Sequence, residues 1–149
     1  MYNATMFSRD RSFPWILLGG DMLVLFVFVV AGQREHELTN VNNPLLGILL
    51  TTGEFTVAWI AAGVWFGAFR RDHPPALRAF MRRSLNAWLV AAPLGTLVRA
   101  LVLGRADIPA AFLVVVLVLG GAMLLGWRLL FMSVWTKTYS GSPRREASQ

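Results

Sequence analysis

Four long apolar stretches constrain this chain more than any other feature. They run over residues 13–32, 45–69, 84–104 and 109–135 and are separated by polar breaks. The hydrocarbon core of a bilayer, ~30 Å thick, needs roughly 20 apolar residues in a helix, and each stretch reaches that length. Backbone N–H and C=O groups have no water to bind inside lipid, so a single spanning segment must be helical. The sequence therefore predicts an all-α membrane protein with four transmembrane helices.

The composition agrees with a membrane protein. Hydrophobic residues make up 56% of the 149 residues and charged residues only 15%, whereas a soluble domain carries about 25% charged residues. The length allows one domain, which we place at 13–135, between a cytoplasmic segment at 1–12 and a mobile cytoplasmic tail at 136–149. Cysteine is absent, which excludes disulfides and thiolate metal sites.

Basic residues orient the predicted helices. Most of the 14 Lys and Arg residues flank the spans on one side, in the N-terminal segment, the second loop and the tail, and only Arg34 and Arg105 flank them on the other. The positive-inside rule then places both termini in the cytoplasm. Short loops join neighbouring spans, which predicts an up-down bundle. The topology accounts for the net charge of +6, so we expect no nucleic-acid partner.

Four ionisable residues lie within the spans, and their depths predict how they pair. A charge at the bilayer centre costs ~2.5–3.5 kcal/mol on insertion scales, which favours a partner or an aqueous cavity. Asp21 and Arg128 lie ~12 Å and ~10 Å from the inner ends of spans one and four. Glu54 and Arg99 differ in depth by ~6 Å, which a snorkelling arginine can cover. Adjacent helices of the bundle therefore predict two ion pairs, Asp21–Arg128 and Glu54–Arg99.

Two interpretations of these pairs stay open. In the first, both pairs are packing devices that fix the order of the helices. In the second, Asp21 and Glu54 line a proton or ion pathway. Intramembrane carboxylates often mark such pathways, but each carboxylate here has a cation at hand. The sequence favours packing.

Two smaller features suggest contact surfaces. Gly63 and Gly67 form a small-xxx-small pair in the second span, which predicts a helix-association face on the side away from Glu54. Arg34 and His36 form a polar cluster at the outer mouth of the first span, where they could contact an anionic head group or a small external ligand. A metal ion needs three or four ligands, so we expect no metal site there.

The sequence favours a non-enzymatic function. It contains no metalloprotease, nucleophile-elbow or P-loop spacing, so we expect neither catalytic residues nor an enzyme. We predict an accessory or scaffold subunit of a larger membrane assembly, with lipids and other membrane subunits or a second copy as partners. The alternative is a small oligomeric transporter or channel that uses the intramembrane carboxylates and arginines. The cofactor is left open, with lipid, quinone or pigment as candidates for the grooves between helices.

Four short elements lie along the spans in a fixed order and spacing. They are Gly20-Asp21, Gly32 with Arg34 and His36, Arg99, and Gly126-Trp127-Arg128. From about residue 20 to residue 128 they resemble the bacterial four-helix membrane proteins grouped as domain of unknown function 3054. The resemblance implies four helices in a bacterial inner membrane and implies no activity. The family pattern is apolar at the position of Glu54, which would make the Glu54–Arg99 pair a property of this chain.

Overall fold

The computed structural model describes residues 4–35, 43–70, 76–104 and 108–140, with side chains over 14–33, 43–70, 76–104 and 108–137. Every secondary-structure element in these ranges is helical, which confirms the predicted all-α class. The elements are α1 Ala4–Glu35, α2 Pro44–Trp65, α3 Leu77–Val102, α4 Ala110–Val115, a π-helical segment Val116–Gly120, and α5 Gly121–Ser140. The last three elements follow one another without a break and form one continuous helical rod. The described residues therefore make four rods, namely α1, α2, α3 and this fourth rod.

Each of the four rods is long and apolar enough to cross a membrane. The qualifying ranges are Pro14–Gln33, Pro44–Trp65, Leu77–Val102 and Ala110–Lys137. Large apolar side chains cover the outside of the bundle, and Trp65 is 86% exposed. Such a surface is unusual for a soluble monomer and is compatible with lipid around a multi-pass membrane protein.

The second helix ends earlier than the apolar run that predicts it. It begins with Pro44 at its first turn and with the side chain of Asn43 accepting a hydrogen bond from the Leu46 amide, a common helix start. It ends before Gly67, whose φ of +66° lies in the left-handed region that ends many helices. The predicted end at residue 69 is therefore corrected to Trp65, since hydropathy does not register a change of backbone conformation.

The two ends of the bundle differ in charge. We call the end that carries the end of α2, the start of α3 and the end of α5 the basic end. The opposite end holds Gln33, Thr51 and Arg99 near the other termini of the helices. The basic end carries Arg70, Arg78, Arg82, Arg83 and Lys137.

The core runs through the middle of the bundle, where every rod contributes to one apolar cluster. The first helix contacts α2 and α5, and α3 contacts α2, α4, the π-helical segment and α5. The indole rings of Trp59 and Trp88 meet edge to face with centroids 6.1 Å apart, a favourable geometry for aromatic pairs. Leu25, Phe55 and Leu124 pack in the same buried cluster.

Two glycines let Trp88 reach the backbone of the fourth rod. Its indole N–H donates to the carbonyl oxygen of Leu117 at 3.0 Å, inside the π-helical segment. A Cβ atom at Gly120 or Gly121 would lie 2.7 Å or 2.8 Å from the indole, closer than packed atoms tolerate. A π-helical turn has i→i+5 hydrogen bonds in place of the α-helical pattern. Through the carbonyl oxygen of Leu117, this turn accepts the hydrogen bond that links α3 to the fourth rod.

We expect Gly121→Ala to lower the thermal unfolding midpoint in detergent. The added methyl must displace the buried Trp88 ring, and overpacking of this kind costs about 1–3 kcal/mol. Gly126→Ala is the matched control, because it lies on the same helix and a Cβ there meets nothing within 4 Å. Equal midpoints for the two variants would contradict the proposed packing.

Candidate functional site

The ion pair between Asp21 and Arg128 lies in the half of the bundle nearer the basic end. Arg128 Nη2 lies 2.6 Å from Asp21 Oδ2, and Arg128 Nε lies 3.1 Å from Oδ1 and 3.2 Å from Oδ2. The guanidinium therefore meets the carboxylate edge to edge, a strong geometry for this pair. The pair predicted from depth and helix adjacency is present in the structure.

Every rod supplies a group to this ion pair. The Trp59 indole N–H on α2 donates to Asp21 Oδ2 at 3.1 Å. Arg128 Nη1 donates to the carbonyl oxygen of Ala68 and to Ser84 Oγ, each at 2.8 Å. Ala68 follows α2 and Ser84 lies in α3, so α1, α2, α3 and α5 are joined through one guanidinium. We call this set of five residues the arginine node.

The arginine node is sealed from its surroundings. Neither side chain of the pair has any exposed surface, and the rings of Trp59 and Phe69 lie 4.7 Å and 5.1 Å from Arg128 Cζ. Aromatic faces attract a cation at this range. A buried pair is stable only when further hydrogen bonds satisfy its atoms, and the bonds to Trp59, Ala68 and Ser84 meet that requirement.

A glycine beside Asp21 fixes the approach of the first helix to α5. The ring of Trp127 fills the space where a side chain at Gly20 would be, and a Cβ there would lie 2.0 Å from Trp127 Cζ2. Gly20-Asp21 and Trp127-Arg128 thus meet as two neighbouring pairs, glycine against indole and carboxylate against guanidinium. The Gly20-Asp21 and Trp127-Arg128 motifs, distant in sequence, therefore form a single contact in the folded structure.

A second polar cluster lies toward the opposite end. Arg99 Nη1 lies 3.6 Å from Glu54 Oε2 and also donates to Thr51 Oγ1. Gln33 Nε2 donates to Thr51 Oγ1 at 3.1 Å and to the carbonyl oxygen of Gly47 at 3.3 Å. The second predicted pair is therefore also present, but its side chains keep 17% (Arg99) and 11% (Glu54) of their surface exposed. We call Gln33, Thr51, Glu54 and Arg99 the outer cluster, a name that denotes only its position toward the end opposite the basic end and is distinct from the predicted Arg34–His36 cluster.

Apolar side chains lie between the two polar sites. Along α1, Leu25 and Phe28 come between Asp21 and Gln33, and both are buried. Trp88 lies between Ser84 and Arg99 on α3 in the same core cluster. The arginine node and the outer cluster are thus separated by a layer of close-packed apolar groups.

The predicted helix-association face at Gly63 and Gly67 is wrong in its geometry. The Phe69 ring covers Gly63, where a Cβ would lie 2.5 Å from Phe69 Cε2, and Gly67 lies beyond the end of α2 with its φ at +66°. The turn after α2 folds back on the helix, so the two glycines share no open helical face.

The predicted outer polar cluster of Arg34 and His36 cannot be placed. His36 and the side chain of Arg34 lie outside the described residues. Within the described part of the chain, no group of three or more His, Asp or Glu residues could hold a metal ion.

Several residues of the two polar sites are not predicted by the sequence analysis. Trp59, Ser84 and the carbonyl of Ala68 complete the arginine node, and Gln33 and Thr51 complete the outer cluster. Neutral polar groups are common in membrane helices and do not demand a partner as a charge does. The one usable signal was the depth of Trp59 in its span, since an indole N–H there needs an acceptor.

These features define a small, all-helical bundle that is held by buried polar contacts and is compatible with a multi-pass membrane protein. The chain belongs to the family described as protein of unknown function (DUF3054), whose model matches residues 18–131. The matched range includes both charged residues of the arginine node, Asp21 and Arg128. No curated protein and no solved structure matches the chain.

We expect Asp21→Asn to destabilise the protein strongly. The substitution leaves a buried arginine without its counter-charge, which costs about 3–5 kcal/mol. Arg128→Met should be similarly harmful, because the carboxylate is then unpaired. Chemical unfolding in detergent would measure both.

The double variant Asp21→Asn/Arg128→Met distinguishes an ion pair from two independent defects. We expect it to be more stable than either single variant, because no unpaired charge remains. Glu54→Gln is the control at the more exposed pair and should cost about 1 kcal/mol or less. If the losses of stability of the two single variants instead add up in the double variant, the assignment of an ion pair is wrong.

A third prediction concerns the glycine of the Gly20-Asp21 motif. Gly20→Ala should cost about 1–3 kcal/mol, because the methyl collides with the Trp127 ring. Its neighbour Gly19 provides the control, since a Cβ there meets nothing within 4 Å, and Gly19→Ala should be neutral or stabilising. Unfolding midpoints of the two variants in the same detergent give the comparison, and a loss at both positions would instead indicate a general effect of helix composition.

Proposed function

We propose that this protein is a non-enzymatic accessory or scaffold subunit of a larger membrane assembly. The observation that carries the proposal is the arginine node, in which one guanidinium joins four helical rods with both charged side chains fully buried. Chemistry and transport need a group that changes partner or protonation state. A pair held by three additional neutral contacts is suited to holding a structure in one arrangement.

The outside of the bundle supports the same proposal. Large apolar side chains remain exposed on every rod, and Val57 on α2 and Leu130 on α5 are 69% and 65% exposed. In a membrane these faces are available to lipid or to helices of other subunits. Van der Waals packing drives association between membrane helices, so a rigid bundle with open sides makes a suitable partner.

Orientation and location form part of the proposal. Arg70, Arg78, Arg82 and Lys137 are exposed at the basic end, and the positive-inside rule would place that end in the cytoplasm. Both termini would then be cytoplasmic, and the outer cluster would face the external leaflet. The bacterial inner membrane is the proposed location.

A transporter or channel is the second candidate, and the outer cluster favours it. Glu54 and Arg99 are partly exposed and could exchange partners, unlike the arginine node. A route across the membrane would also have to pass the layer that contains Leu25, Phe28 and Trp88, all of them buried. That layer supports the scaffold over the transporter.

The proposal predicts that the full chain, expressed at its native level and extracted in mild detergent, purifies with other membrane subunits. Native mass spectrometry would identify them, and an absorption spectrum of the same sample would detect a bound chromophore. We expect Asp21→Asn to lower both the amount of this protein and the amount of the assembly that contains it, because the rods lose their common contact. Glu54→Gln should preserve both.

The transporter makes the opposite prediction. A homo-oligomer without other subunits, whose liposomes conduct protons under an imposed membrane potential, would contradict the scaffold. The contradiction would be complete if Glu54→Gln abolished that proton flux at an unchanged protein level.

A further inference from the structure

A cavity of about 350 Å³ opens beside the outer cluster. Its walls come from α1, α2, α3 and the fourth rod, and Gln33, Thr51 and Arg99 form its polar end. The rest of the lining is largely apolar, with the aromatic rings of Phe28, Phe55 and Phe112. Pockets that bind small molecules have this size and this mixture of apolar walls with a few polar groups.

An unpaired acceptor lies at the polar end. Gln33 is 5% exposed, and its Oε1 is buried without a hydrogen-bond partner in the structure. The orientation of its amide is fixed, because Nε2 donates to the carbonyl oxygen of Gly47, which can only accept. The unpaired atom is therefore the oxygen. A buried acceptor left unmatched is unfavourable, and a donor from a ligand would satisfy it.

Donors are available at the same end. Arg99 contacts Glu54 and Thr51 through Nη1, whereas its guanidinium carries five N–H groups. Thr51 uses its hydrogen toward the carbonyl oxygen of Gly47, so it has no donor to spare. Among the lining side chains, Gln33 therefore supplies an unpaired acceptor, Oε1, and Arg99 supplies a donor group.

Only some chemical groups match that combination. A hydroxyl both donates and accepts, so one O–H can bind Gln33 Oε1 while its oxygen accepts from Arg99. A carboxylate or a ketone only accepts and would leave Gln33 unpaired. An ammonium only donates and would lie beside a cation. The charges of Glu54 and Arg99 already balance, which again favours a neutral group.

We propose that this cavity binds a neutral, hydroxylated aromatic ring on an apolar tail, such as a membrane phenol or hydroquinone. The hydroxyl lies between Gln33 and Arg99, and the ring packs against Phe28, Phe55 and Phe112, since aromatic rings associate favourably. The tail leaves between the helices into lipid. An acylglycerol presents the same hydroxyl without the ring, and the test separates the two.

The site goes beyond the proposed scaffold function and does not depend on it. An isolated protein without partner subunits would still bind the ring, and a scaffold could lack the site. The binding test therefore uses purified protein and reads ligand occupancy directly.

The probes are 4-octylphenol and 4-octylanisole, which differ only in that the anisole has a methyl group in place of the hydroxyl hydrogen. Native mass spectrometry of the full chain released from micelles measures occupancy as each ligand is titrated into the detergent. We expect the phenol to bind at least about fivefold more tightly, because the anisole leaves Gln33 Oε1 unpaired. Equal binding, or no binding of the phenol, would overturn the proposal.

Three variants locate the site. Gln33→Met removes the acceptor and should abolish the preference for phenol over anisole. Leu119→Trp, on the cavity lining, should block both ligands. Val118→Trp is its matched control, because Val118 is the adjacent residue, is 67% exposed and lies outside the lining. Both tryptophan variants change exposed positions, so folding is preserved even if Gln33→Met proves unstable.

A final arm tests the aromatic ring. Dioctanoylglycerol carries a free hydroxyl on acyl chains, and we expect it to compete poorly with 4-octylphenol. If it displaces the phenol at equal mole fraction in the micelle, the site is an acylglycerol site and the proposed aromatic ligand is wrong. Unchanged phenol binding in Leu119→Trp would likewise place the ligand elsewhere on the bundle.

Discussion

The guanidinium of Arg128 is fully buried, and the rest of the bundle is arranged around it. A buried guanidinium is costly unless hydrogen-bond acceptors surround it, so the fold must bring acceptors to it. Asp21 comes from α1, the carbonyl oxygen of Ala68 from the turn after α2, and Ser84 from α3. Lipid tails are as apolar as leucine, so the hydrophobic effect does little to order helices in a membrane. A single cation with acceptors on three other rods specifies that order.

Several local features take their meaning from this requirement. The left-handed backbone at Gly67 ends α2 and turns the chain, which places the next residue, Ala68, where its carbonyl oxygen meets Arg128. Gly20 lets the first helix come close enough to α5 for Asp21 to make its bonds. Trp59 holds the carboxylate from the side of α2. Backbone conformation, small residues and an indole on different elements thus serve the same contact.

Depth along the spans was enough to predict the Asp21–Arg128 pair, because charges within apolar segments are few and each demands a partner. The four helices were predictable for a similar reason, since spanning length is set by the bilayer. The neutral members of the node were not, because a serine, an indole or a backbone carbonyl is tolerated at many positions. The association face at Gly63 failed since the apolar run continues through Phe69, which hides the turn at Gly67. The π-helical segment has no sequence signal except the Gly120-Gly121 pair that meets Trp88.

The two polar sites differ in how completely the hydrogen-bonding capacity of their side chains is satisfied. In the arginine node the ion pair is closed by further bonds from Trp59, Ala68 and Ser84. The outer cluster keeps a buried acceptor at Gln33 Oε1 beside a cavity. Proteins depart from full satisfaction mainly at functional sites. A bundle fixed at one end can keep an unsatisfied group at the other, because its helix order does not depend on that group. Ligand occupancy would then connect the fourth rod to α1 and α3 at the end where the hydrogen bonds of the outer cluster join only α1, α2 and α3.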